Sequence, residues 1–129
     1  MLKTLLAVGS GASCGALLRW LLEMMGNSLF PSIPLGTLAA NLFGGFLAGI
    51  AISVLAEFPS AAPELRLFVM TGFLGGLTTF SAFSVQVGAL LQQQRLVTAA
   101  AAVALHVCGS LIMLFLGMGS YNLFKSVLR

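Results

Sequence analysis

The sequence predicts an all-α membrane protein, a single domain over residues 1–129 with four transmembrane helices, the third broken near Gly75–Thr79. Three observations carry that prediction. The chain is 59% hydrophobic and 7% charged, with a mean hydropathy of +1.07, more apolar surface than a soluble domain of this size can bury. Its apolar stretches, each near the roughly 20 residues that one bilayer crossing needs, nearly exhaust the length and leave no room for a soluble module. The uncharged stretch 67–94 is long enough to cross, yet Gly72, Gly75, Gly76, Thr78 and Thr79 make it a poor continuous helix.

The formal charge of +3, from six basic and three acidic residues, is too small and too scattered for a nucleic-acid partner. It suits flanks that face lipid headgroups. Cys14 and Cys108 fall inside apolar segments and read as small apolar side chains, so no disulfide or redox compartment follows from them.

The first segment covers residues 2–24. Lys3 and the apolar run after it resemble a signal peptide, but glycines interrupt the run, so a retained helix is expected. Gly11 and Gly15 form a small-residue face on which another helix can pack. Arg19 beside Trp20 has two readings, a side chain snorkelling to headgroups or a structural role inside the bundle.

Asn27, Ser28, Pro31 and Pro34 form a loop, and the second segment, 35–56, carries no charge. Thr37, Asn41, Gly45 and Gly49 recur every four residues and share one face. Asn41 is either interhelical glue or an amide donor into a polar pathway. Glu57, Pro59, Pro63, Glu64 and Arg66 read as a polar turn before the broken segment.

Lipid offers no partner to backbone freed by a break, so such a break must be covered by protein or line a polar cavity. Glycine- and hydroxyl-rich breaks at mid-membrane are a common construction of ion and substrate sites. Beyond the break, Phe80 and Phe83 point the same way if helix resumes, as packing residues or as something more, with Ser81 and Ser84 between and beside them. Gln86 follows one turn later, near the mouth of that face. In the last segment, 96–124, His106 and Ser110 share a face. An intramembrane His is a functional candidate, and an uncharged His bonded to a neighbouring helix is the alternative.

Absent chemistry excludes as much. Glu23, Glu57 and Glu64 all flank loops, so no carboxylate lies within a span and only His106 offers an embedded acid or base. The sequence has no zinc-ligand spacing, no phosphate-binding glycine loop and no nucleophile-base set, which argues against an enzyme. Four short spans barely enclose a pathway, so self-association is expected. Lys3, Arg66, Lys125 and Arg129 fall on one side, Arg19 and Arg95 on the other, a bias weak enough to make mixed insertion and an antiparallel homodimer reasonable.

Residues 15–20 (GALLRW), 36–42 (GTLAANL), 71–81 (TGFLGGLTTFS) and Gly109-Ser110, in this order and at this length, resemble the small fluoride channels of the Fluc/CrcB family. The resemblance covers all four segments. It implies passive export of cytoplasmic fluoride by a multi-pass protein of the bacterial inner membrane, working as an antiparallel, dual-topology homodimer in membrane lipid. It implies a structural sodium ion (Na+) held by the backbone carbonyls of Gly75 and Thr78. It implies pore roles for Phe80, Phe83 and Asn41, with the hydroxyls of Thr37, Thr79, Ser81 and Ser110 expected along the same path and Arg19 and His106 in structural roles. Ala82, Gln86 and Leu114 depart from the residues common in relatives (Thr, Glu and Thr), which points to lower conductance. The rival readings are a small multidrug-type exporter, which would want a membrane carboxylate, and a non-transporting assembly protein whose glycines only pack helices.

Overall fold

The computed structural model describes residues 1–128. Four stretches are long and apolar enough to cross a membrane, and three of them are single helices: α1 (Leu2–Gly26), α2 (Leu35–Glu57) and α6 (Leu96–Val127). The third span, Pro63–Gln92, is compound. It opens with the turn α3 (Pro63–Arg66), winds as a π-helix π1 (Leu67–Leu74), returns to one turn of α4 (Gly75–Leu77), and resumes as α5 (Phe80–Gln92).

One boundary differs from the sequence expectation, and the end of the third span near Gln92 agrees with it. Pro63, Glu64 and Arg66, expected in a loop, form the first turn of the third span, because Pro at the start of a helix gives up only an N–H that has no partner there. The span ends at Gln92 in a Schellman closure: Gln94 takes φ 57, Arg95 N–H donates to Leu90 C=O (2.9 Å) and Gln94 N–H to Leu91 C=O (3.0 Å). The π winding was not legible beforehand. It turns less per residue than an α-helix and so re-aims Gly75 and everything after it.

Glycine seams hold the bundle. A Cβ on Gly76 would sit 2.5 Å from the Ala12 carbonyl oxygen, and one on Gly15 would strike the Phe73 carbonyl, so α1 and the first half of the third span touch backbone to backbone. The expected Gly11/Gly15 face is this seam. A second seam joins α2 to α6, with Gly49 against the Leu114 carbonyl and Gly117 against that of Phe46. In lipid no hydrophobic force draws helices together, so this close packing supplies much of the cohesion.

An apolar cluster of Ile33, Leu38, Leu90, Ala99 and Ala102 closes one end of the bundle. At the other end Glu57 takes Lys125 as ion-pair partner and accepts from the Tyr121 hydroxyl at 3.1 Å, while Arg66 donates to the Leu55 and Phe58 carbonyls, both at 2.8 Å. Large apolar side chains such as Leu6, Leu17, Ile112 and Phe115 lie exposed along the spans, as lipid-facing surface requires. Cys14 and Cys108 are exposed and unpaired.

Candidate functional site

The break falls at Thr78–Thr79, both extended, near the middle of the third span. In an α-helix the Thr79 N–H would close onto the Gly75 carbonyl and the Ala82 N–H onto that of Thr78. Neither does. Thr79 N–H donates to Asn41 Oδ1 at 2.7 Å, and Ala82 N–H to Thr79 Oγ1 at 3.2 Å. The Gly75 and Thr78 carbonyls therefore both lose their helical donors.

Other carbonyls of this turn are satisfied inside the chain. Leu74 C=O accepts from Thr78 N (3.0 Å) and Thr78 Oγ1 (2.8 Å), and Gly76 C=O accepts from Arg19 Nε at 3.2 Å. Arg19, also paired with Glu23 at 3.3 Å, thus places a cation at the negative end of the first half-helix, a structural role rather than snorkelling.

Asn41 clamps the break from α2. Its Oδ1 takes the Thr79 N–H, one Nδ2 proton goes to the Thr79 carbonyl at 3.0 Å, and Nδ2 also lies 2.9 Å from His106 Nδ1. The amide oxygen so replaces the acceptor that the Thr79 N–H lost at the break, and the amide nitrogen adds a second donor to the Thr79 carbonyl, which as N-cap already accepts the first bond of α5. The residue is glue and lining at once, since it also borders the cavity described next.

That cavity, about 570 Å3, opens beside the break. Asn41, Gly75, Thr78, Thr79, Phe80, Phe83, His106 and Ser110 line it, with α2 glycines and the apolar Met70, Leu74, Val107 and Leu111 among the rest. Phe80 and Phe83 meet edge to face with centroids 5.5 Å apart, and Phe83 lies 4.7 Å from the His106 ring, tilted by 32°. The two rings differ in setting: Phe83 is 7% exposed and Phe80 76%. Ser110 Oγ makes no hydrogen bond among the described residues.

Two residues expected on the pathway stand apart from the cavity lining. Thr37 is fully enclosed one turn from Asn41, where Asn27 Oδ1 accepts its N–H (3.0 Å) and Gln86 Nε2 donates to its hydroxyl (2.9 Å). Ser81 is exposed and pairs with Thr79 Oγ1 at 3.3 Å. Gln86, placed by sequence near a mouth, instead ties α5 to α2. The sequence reading missed Asn27 as a partner altogether, and its only signal was an Asn in the loop before a buried Thr.

Cation ligation has one candidate donor set here, the released Gly75 and Thr78 carbonyls, since the described residues contain no cluster of His, Cys, Asp or Glu suited to a metal. Hard oxygen donors of this kind fit a hard cation such as sodium. Gly76, held by Arg19, is not part of the set.

The family model described as CrcB-like protein, Camphor Resistance (CrcB), matches residues 6–118. The chain belongs to the CrcB family. Among similar CrcB-family proteins is the fluoride-specific ion channel FluC of Desulfovibrio desulfuricans, 58% identical over 129 residues and aligned over the whole of both chains. The FluC of Tolumonas auensis is 57% identical over 125 residues, 97% of this chain and 98% of that one. That of Pseudomonas aeruginosa is 57% identical over 122 residues, 95% and 96%.

Proposed function

We propose that this CrcB-family chain is a fluoride-selective channel of the bacterial inner membrane that passes the anion passively and catalyses no covalent step. The observation that carries the reading is the chemistry of the cavity at the break, whose lining holds N–H and O–H groups and aromatic rings but no carboxylate. Such a lining suits an anion. The N-terminus of α5, capped by Thr79, adds partial positive charge at mid-membrane. That the anion is fluoride follows from the relatives, which are fluoride-specific channels over the whole length aligned.

Fluoride is small and strongly hydrated, so a selective path must replace its water with close donors. Phe80 and Phe83 offer the positive edges of their rings, each contact contributing on the order of 1 kcal/mol. Rings alone do not offset dehydration, so hydroxyl donors such as Thr79 and Ser110 act with them, while Asn41 holds the break in shape and Ser81 lies exposed beside Thr79.

The pathway is completed by a second copy, inserted antiparallel. Phe80, mostly exposed on one chain, is open to contact with such a copy. A sodium ion between the copies, held by the Gly75 and Thr78 carbonyls, supplies the positive charge that these dipoles lack once their N–H partners are diverted.

Fluoride efflux from liposomes holding purified protein tests the reading, with chloride as the comparison anion. Fluoride-selective efflux is expected, and its absence in well-folded protein would overturn the channel. Labelling a C-terminal tag from each side tests the antiparallel arrangement, which a population wholly on one side would rule out.

A further inference from the structure

The Asn41 amide is oriented without ambiguity. Its oxygen must face the Thr79 N–H, which only donates, and its nitrogen must face the Thr79 carbonyl, which only accepts. The second amide proton then points to His106 Nδ1 at 2.9 Å. That ring nitrogen can only be an acceptor, so the imidazole is neutral and carries its hydrogen on Nε2.

Two consequences follow. Both Asn41 amide protons are engaged with protein, so Asn41 has none to give an anion unless the clamp on the break opens. His106 Nε2–H, by contrast, has no acceptor among the described residues. No buried polar side-chain atom lacks a partner, so Nε2 reaches open space although His106 is only 4% exposed, and the open space that His106 borders is the cavity at the break. Ser110, one turn along the same face, brings a second donor, a hydroxyl without a partner among the described residues.

We infer that His106 Nε2–H, with the Ser110 hydroxyl, is the hydrogen-bond donor that contacts the anion at the break, and that Asn41 acts as the positioning residue that fixes the His106 tautomer. This deepens the channel reading and rests on it. An N–H donating to an anion makes a short, charge-assisted bond, strongest for the small, hard fluoride ion. In a cavity walled by Phe80 and Phe83, an N–H without an acceptor is costly, so the site favours a species that accepts and disfavours cations.

His106 is the sole histidine of the chain, so selective 15N-histidine labelling reports it alone. In lipid-reconstituted protein the neutral Nε2–H tautomer is expected, with the Nε2 resonance moving on addition of fluoride and not of chloride, and Nδ1 staying put. An Nδ1–H tautomer, or an Nε2 resonance indifferent to fluoride in protein that conducts it, overturns the inference.

Two substitutions separate donor from positioner. His106→Asn leaves an acceptor near the Nδ1 position but no donor at Nε2, whereas His106→Gln places an amide near Nε2 and gives up the acceptor. Losing an anion donor is expected to lower fluoride flux about tenfold or more in His106→Asn. His106→Gln should retain more flux than His106→Asn. The opposite order, or wild-type flux in His106→Asn, overturns the assignment. Wild-type protein whose Nε2 responds to fluoride but which passes none would refute the channel and keep the donor.

Discussion

The two halves of the third span are adjacent in sequence and held by opposite means. Residues 63–77 pack on α1 through Gly11, Gly15, Gly72 and Gly76, whose missing side chains let the backbones touch. α5 has no such seam, and a Cβ on Gly88 would meet nothing within 4 Å. It is fastened by polar contacts, Asn41 at its head and Gln86 to Thr37 in its body, and by the apolar packing of Phe83, Val87 and Leu90. Rigidity in lipid thus comes from backbone proximity on one side of the break and from side-chain contacts, polar and apolar, on the other.

The largest effect should come from filling the seam. Gly76→Leu forces side-chain atoms into the Ala12 backbone, which cannot move without separating the helices. Overpacking of this kind costs about 3 kcal/mol or more, and no monodisperse protein should survive extraction. Wild-type thermal stability for this variant would show that the seam is looser than described.

Removing the clamp comes next. Asn41→Ala strands the Thr79 N–H and the His106 acceptor, at about 1–3 kcal/mol for each group left buried, and takes one of two donors from the Thr79 C=O. Asn41→Asp still accepts from Thr79 N–H, cannot donate to the carbonyl, and places a negative charge beside the path. Both variants should lose fluoride flux, with Asn41→Asp the less unfolded on heating. Normal conduction in Asn41→Asp would remove this residue from the pathway.

The aromatic pair divides function from packing. Phe83→Ile changes a buried ring and should lower stability by about 1 kcal/mol along with flux. Phe80→Ile alters a ring 76% exposed on one chain and should leave monomer packing intact. Flux lost in Phe80→Ile, with helicity and melting unchanged, identifies ring-edge contact or a partner surface as its role. Unchanged flux in both variants returns the pair to ordinary packing.

Gly75 sharpens the contrast further. Unlike the seam glycines, a Cβ there meets nothing nearer than the Met70 carbonyl oxygen at 3.9 Å. Gly75→Ala should therefore fold normally as a chain, and any loss of dimer or flux comes from the cation or the second copy. Fluoride flux unaltered by prolonged and complete removal of sodium would argue against the cation.

The smallest effect is expected in α5, where Gly88→Ala has open space and helix propensity in its favour and should stabilise by up to about 1 kcal/mol without altering flux. A destabilised or silenced Gly88→Ala would reveal packing against α5 that one chain does not contain.

Apolar periodicity and length determined by themselves that the chain has four crossing helices, because lipid imposes a fixed span and forbids unpaired backbone along it. Composition alone also determined that the third helix must break, since Gly75, Gly76, Thr78 and Thr79 together weaken any continuous helix there. Spacing put Asn41 on a small-residue face and His106 above Ser110, and both placements hold. Which hydrogen bond each side chain makes was not legible, because partners 38 and 65 residues apart are chosen by how helices cross and rotate. The π winding of Leu67–Leu74 helps set that rotation, and nothing in its apolar residues announces it. Only the tertiary structure decided that Asn41 gives its protons to Thr79 and His106, that Thr37 turns to Asn27 and Gln86, and that Arg19 points inward to Gly76.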